Sequence, residues 1–166
     1  MADKTNASRI LDRLKIPYTL YEYEVDPEHL DVAHVAESIN QPIDQLYKTL
    51  VLRGDKTGIF VGVIAGNKEI DLKKAAKASG NKKAEMIHLK ELQPLTGYIR
   101  GGCTAIGMKK NYPVFLDNAA LQNDSIFVSA GRRGLQIYLK VEDYLKATGA
   151  TVADLGVVTS NIQSQD

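Results

Sequence analysis

The chain of 166 residues has one cysteine, three histidines and five prolines, and its charges nearly cancel at a net +1. A single cysteine, Cys103, excludes an internal disulfide framework and fits a reducing compartment. The histidines lack metal-ligand spacing. His29 and His34 stand five apart, which does not stack two imidazoles on one helical face as a four-residue spacing does, and no context singles out His88. No apolar run approaches the roughly 18 residues of a membrane span. The opening Met1-Ala2-Asp3-Lys4-Thr5-Asn6 lacks the apolar core of a secretory signal, so the expected location is cytoplasmic. Neither nucleotide fingerprint is present: no glycine segment ends in Gly-Lys-Ser/Thr, and none has dinucleotide spacing behind a buried strand. No metal and no organic cofactor are expected.

What is there describes an ordinary globular chain, 44% hydrophobic and 25% charged, with no repeat, low-complexity tract or linker. One domain over residues 1–166 is expected, its core spanning about 5–155 and its tail loose after Gly156. Apolar spacing predicts helices over Thr5–Lys15, His29–Ile39 and Val141–Thr148, and a short one from Asp71 ending at Ser79-Gly80-Asn81. Strands are predicted at Tyr18–Val25, Tyr47–Arg53, Ile59–Ile64, Glu85–Leu89, Pro113–Asp117, Ser125–Ser129 and Gly134–Lys140. Gly54-Asp55-Lys56-Thr57-Gly58 signals a hairpin, and Lys90–Leu95 a helical turn or two. Without regular alternating crossovers, the fold class is α/β of the mixed α+β kind, with a mixed or largely antiparallel sheet and helices outside.

The densest chemistry lies in Gly97-Tyr98-Ile99-Arg100-Gly101-Gly102-Cys103-Thr104-Ala105-Ile106-Gly107. Consecutive glycines can aim backbone N–H groups at one oxygen, as anion nests and oxyanion sites do; a mere conformational corner is the alternative. Cys103 offers a thiol nucleophile only if a base lies near it; otherwise it is a small hydrophobe. Lys48 shares strand parity with Leu50 and Leu52. On an internal face its ammonium would border an apolar pocket, costly unless a ligand or polar group pairs it. On an outward face it would be solvated, and Tyr47, Thr49 and Val51 are equally strand-like. Bases crowd from Lys68 to Lys110, where ten Lys/Arg accompany four Asp/Glu. That asymmetry creates either a basic face or a solvated lysine-rich surface. Gly131-Arg132-Arg133-Gly134 adds two arginines at a tight connection, suited to phosphates or to a solvated hairpin tip.

In this order the pieces resemble the YbaK family, free-standing relatives of the editing domain inserted in bacterial prolyl-tRNA synthetases. The matching stretches are Lys15-Ile16-Pro17 with Tyr23, Tyr47-Lys48-Thr49-Leu50, the run from Asp71 to Lys77, Thr96-Gly97-Tyr98 with Gly101-Gly102, Gly107-Met108-Lys109-Lys110, and Ser129-Ala130-Gly131-Arg132-Arg133-Gly134-Leu135. The resemblance implies a partly barrel-like sheet surrounded by helices, and removal of a wrong amino acid, cysteine or alanine, from proline tRNA. It makes Lys48 the essential lysine and the backbone at Gly101 and Gly102 the holder of the aminoacyl ester. Around these, Tyr23, Tyr98, Arg100, Cys103, Thr104, Ser129 and Gln136 become candidate substrate contacts. Lys73, Lys77, Lys109, Lys110, Arg132 and Arg133 become candidate tRNA contacts, and prolyl-tRNA synthetase a transient partner. A module that binds aminoacyl-tRNA without cleaving it is the alternative. Two departures stand out: Thr104-Ala105 replaces a Ser-Pro pair, which should loosen the loop, and Gln136 replaces a frequent aspartate.

Overall fold

In the computed structural model, residues 4–158 are described. Thr5 caps the first helix, α1 (Asn6–Arg13), by accepting from Ser8 N–H, and its chain then enters strand β1 (Thr19–Glu22). Helix α2 (Val32–Ser38) starts at Asp31, whose side chain accepts from His34 N–H. The predicted hairpin forms β2 (Tyr47–Gly54) and β3 (Gly58–Ala65), paired antiparallel along their whole length. After β4 (Lys68–Ile70), helix α3 (Leu72–Ser79) is capped by Asp71 and ends at Gly80 with φ +81°. Then follow β5 (Ala84–Met86), α4 (Leu92–Thr96), β6 (Val114–Asp117), β7 (Ser125–Ser129), β8 (Leu135–Lys140), α5 (Val141–Thr148), β9 (Thr151–Ala153) and β10 (Gly156–Val158).

One sheet has the order β5-β2-β3-β6-β9, with β6 and β9 added in parallel; another has β1-β8-β7, and β10-β4 is a separate ladder. A parallel bridge from Leu46 to Phe127 joins the two larger sheets at β2 and β7, closing them into a partial barrel. Inside lie Val61 and Val63 of β3, Leu116 of β6, Ile126 and Val128 of β7, and Leu135, Ile137 and Leu139 of β8. The predicted α/β class with a mixed sheet is therefore observed.

The outer face of β2 carries two separate coverings. At one end α2 packs Val35 and Ala36 on Leu46 and Phe127. At the other, α3 and the β10 arm pack Ala75 and Leu155 on Leu52, Phe60 and Ile64. Residues 157 and 158 belong to β10, against the expectation of a loose tail after Gly156, because this arm seals the second cluster; residues beyond 158 lie outside the described range.

Two buried polar side chains brace the frame. Asn81 accepts from Lys56 and Thr57 N–H at the β2–β3 turn and donates to Thr57 and Ser79 hydroxyls. Asp117, fully buried, accepts from Leu155 and Gly156 N–H with one oxygen and from Lys68 Nζ (3.2 Å) with the other. Asp117→Ala leaves a partly buried cation and two buried N–H groups unpaired. It is expected to lower unfolding free energy by about 3–5 kcal/mol in urea titrations.

Candidate functional site

A cleft of about 420 Å³ opens in the gap between the two coverings. The strand registers specify its floor. Two residues beyond the Leu46↔Phe127 bridge on each strand, Lys48 and Ser129 both line the cleft. Ser129 pairs with Gln136 in the β7–β8 ladder. Lys48, Ser129 and Gln136 thus make a polar row on the cleft floor, drawn from three strands, on the face whose apolar neighbours are Leu46, Phe127 and Tyr138. Thr49 turns to the opposite face with Tyr47 and Val51, where its buried hydroxyl has no partner.

Lys48 sits half-buried and makes no hydrogen bond or ion pair with any described residue. Burial pushes its pKa below the ordinary lysine value of 10.5, an effect partly countered by the charge of Glu69 at the cleft rim. Gln136 is only 7% exposed and its side-chain amide bonds to no described residue, so its hydrogen-bonding capacity is directed to the cleft. Ser129 Oγ accepts from Gly131 N–H at 3.3 Å and keeps its own proton to donate. No histidine lines the cleft.

The glycine segment forms the facing rim through Arg100, Gly101 and Cys103. A turn closes on Gly102 N–H, which donates to Ile99 carbonyl at 3.0 Å, with Gly101 in its third position at φ +86°. The Gly102 amide is therefore engaged, whereas Gly101 N–H donates to no described group. Tyr98 fixes the loop from beneath: its hydroxyl donates to Ile106 carbonyl at 2.6 Å, and its ring lies 3.1 Å from where a Cβ on Gly131 would stand. Thr104 is fully buried and its hydroxyl accepts from Ile106 N–H. Burial pushes the Cys103 thiol up to about 12, so it is uncharged at neutral pH and a poor nucleophile.

A family model, the aminoacyl-tRNA editing domain, matches residues 26–147. The chain belongs to that family. A relative in Enterococcus faecalis (strain ATCC 700802 / V583), named "Putative Cys-tRNA(Pro)/Cys-tRNA(Cys) deacylase EbsC", is 52% identical over 92% of this chain and 93% of its own length. YwhH of Bacillus subtilis (strain 168), an uncharacterized protein, is 29% identical over 70% of this chain and 73% of its own. Among solved structures, a "putative trans-editing enzyme for prolyl tRNA synthetase" superposes with a TM-score of 0.78 at 23% identity, covering 94% of this chain and 99% of that one. The hypothetical protein APE2540 reaches 0.83 at 22% identity over 92% and 100%. At such identities these two likenesses speak for the fold.

In this editing domain the cleft brings together Lys48, Arg100, Gly101, Cys103, Ser129 and Gln136 of the sequence-derived candidates. Tyr23, Tyr98, Gly102 and Thr104 do not line it. Tyr23 packs in the α2 cluster and donates its N–H to Gly134, while Tyr98 and Thr104 hold the loop's interior. Lys73 lies with Arg53, Lys82 and Lys83 in a second, more open groove of about 730 Å³. Lys77 and Lys110 are exposed, Lys109 Nζ reaches Pro94 carbonyl at 3.4 Å, and Arg132 folds back onto Arg133 carbonyl. Sequence reasoning passed over Asp31 and Glu69, the two carboxylates of the cleft. Asp31 was legible as a helix cap; nothing in the sequence set Glu69 opposite Lys48. The two histidine rings do stack, with centroids 5.2 Å apart, because His29 precedes the helix and folds back over its first turn beside Asp26.

Lys48 is held charged against its surroundings, so Lys48→Met is expected to raise the urea midpoint of unfolding at pH 7. The folded-state pKa lies below the unfolded one, so the unfolded chain binds more protons between them and the parent's stability rises with pH there. The gap between variant and parent should therefore close as pH climbs towards 10.5.

Proposed function

We propose that this editing domain is a free-standing deacylase that clears cysteine mischarged onto proline tRNA. The carrying observation is the row Lys48–Ser129–Gln136 facing an unengaged Gly101 N–H across one cleft. The name of the Enterococcus faecalis relative supports the choice of cysteine. The bond to be broken is an ester to the terminal ribose, whose carbonyl is already electrophilic. Catalysis then requires orientation and stabilisation of the developing oxyanion. Gly101 N–H meets that oxygen, Lys48 holds the ribose or carbonyl side, and Ser129 and Gln136 receive the amino acid's polar groups.

The cleft has no histidine to serve as a base, and its single thiol is uncharged. In keeping with the resemblance to the YbaK family, the nucleophile comes with the substrate. The cysteine thiol attacks its own carbonyl carbon, the ester C–O bond breaks, the ribose oxygen takes up a proton, and a thiolactone departs for hydrolysis in water. Phosphates of the tRNA lie along Lys73, Lys77, Lys109, Lys110 and Arg132, making binding salt-dependent. Prolyl-tRNA synthetase is the transient partner that supplies the choice of tRNA, and the cytoplasm is the place of action. The neutral amide of Gln136 in the row favours alanine as a second substrate, attacked by a positioned water.

The test is deacylation of proline tRNA charged with cysteine, alanine or proline. Cysteine is expected to be cleared fastest, proline spared, and Lys48→Ala slowed at least about 100-fold, the scale of a lost oxyanion-side contact. Serine in place of the substrate cysteine should slow cleavage severely if the substrate thiol attacks. Binding without ester loss in single turnovers would overturn the deacylase in favour of a sequestering module. Loss of all clearance in Cys103→Ala would make its thiol the nucleophile.

A further inference from the structure

The turn at Gly131-Arg132-Arg133-Gly134 was read above as a candidate phosphate contact, but the geometry gives its second arginine another task. Arg133 Nε–H donates to the carbonyl of Arg100 at 2.8 Å. That carbonyl belongs to the same planar peptide unit as the N–H of Gly101, and in a trans peptide the two point in opposite directions. Holding the oxygen on one side therefore fixes the direction of the N–H on the other. Gly101 lines the cleft and its N–H is engaged by no described group.

The contact is built as well as bonded. A Cβ on Gly101 would stand 3.3 Å from Arg133 Cγ and 3.4 Å from Leu30 Cδ2, so the peptide is held between the arginine stem and the segment leading into α2. A Cβ on Gly102 would stand 2.9 Å from Arg132 Cα, so the two segments meet backbone to backbone. This approach requires glycine at 102, and the φ of +86° favours it at 101. Among the described residues no carboxylate pairs with Arg133. The bond is exposed to solvent, and the Arg100 carbonyl is the acceptor that the Arg133 guanidinium holds. A hydrogen bond accepted by a peptide's oxygen polarises the unit and strengthens its N–H as a donor.

We propose that Arg133 is a positioning residue for the deacylation: it clamps and polarises the Arg100–Gly101 peptide so that Gly101 N–H is aimed, as a strengthened donor, at the oxyanion of the aminoacyl ester. The proposal rests on the deacylase reading for its chemistry and on the clamp itself for its geometry. It removes Arg133 from the phosphate contacts and leaves Arg132 among them. A lysine keeps the charge but replaces a planar donor by a mobile point charge, so it does not reproduce the clamp.

The experiment compares parent, Arg133→Lys and Arg133→Gln on cysteinyl-tRNA and on 3′-O-cysteinyl-adenosine, which carries no phosphate. Both variants are expected to lose about 10- to 100-fold in kcat on both substrates, part of the loss seen when an oxyanion donor is removed. KM and the slope of log affinity against log salt should stay at parental values. The amide resonance of Gly101, read in ¹⁵N-labelled protein, should shift in both variants, while thermal unfolding reports that the fold persists. A phosphate contact instead predicts parental rates on cysteinyl-adenosine, a near-parental Arg133→Lys, and a salt slope smaller by about 0.7 to 0.9 in Arg133→Gln; that pattern overturns the proposal. An unmoved Gly101 resonance also overturns it. Should the parent cleave neither substrate, the deacylase reading fails alone, and the Gly101 resonance still decides the clamp.

Discussion

The carboxylate of Asp117 is the contact on which the outer half of the molecule depends. It stands fully buried at the end of β6, and its two oxygens reach three separate pieces of chain: the Leu155-Gly156 backbone, Lys68 at the start of β4, and the turn at Ala119. The β10-β4 ladder is only three pairs long and would be marginal by itself. Anchored by that carboxylate, it presses Leu155 and Ile70 onto the β2–β3 hairpin, where a Cβ on Gly62 would meet Ile70 at 2.9 Å. The same ladder carries Glu69, the acidic counterpart of Lys48, to the rim of the cleft. A structural ion pair and a carboxylate of the cleft rim thus share one short strand.

The cleft exists because β2 is covered twice and not continuously. Leu46 at one end and Leu52 at the other are sealed under different helices, and Lys48 occupies the interval. Its inward neighbours Tyr47 and Val51 are buried in the barrel, so the strand has no fully solvent-facing side. Half-buried in the cleft, the ammonium makes no hydrogen bond or ion pair with any described residue. Burial there costs stability while the side chain stays charged, as its lowered pKa reflects.

Much of this was legible. Ser125–Ser129 and Val141–Thr148 coincide with the elements found, and Asp71 and Gly80 bound their helix as cap chemistry requires. Strand parity put Lys48, Leu50 and Leu52 on one face. It could not say that both faces are buried, because that depends on helices contributed from elsewhere in the chain. The three-residue strands β4, β9 and β10 have no periodicity to read; pairing partners and the Asp117 carboxylate make them strands. The row from Lys48 to Gln136 needs the register of β2 against β7, set by tertiary closure at Leu46 and Phe127. Thr104 and Ala105, expected to loosen the glycine loop, are both buried, and the Tyr98 hydroxyl donates to the next carbonyl, that of Ile106. The histidine stack escaped notice because helical spacing was applied to a residue that precedes its helix.

The bridge between Leu46 and Phe127 has a consequence for how the protein comes into being. Lys48 is synthesised early, Ser129 and Gln136 late, and the floor of the cleft is complete only when β7 and β8 close against β2. Contacts so distant in sequence form late, after local hairpins and helices are in place. A chain still emerging from the ribosome therefore has the lysine without the rest of its row.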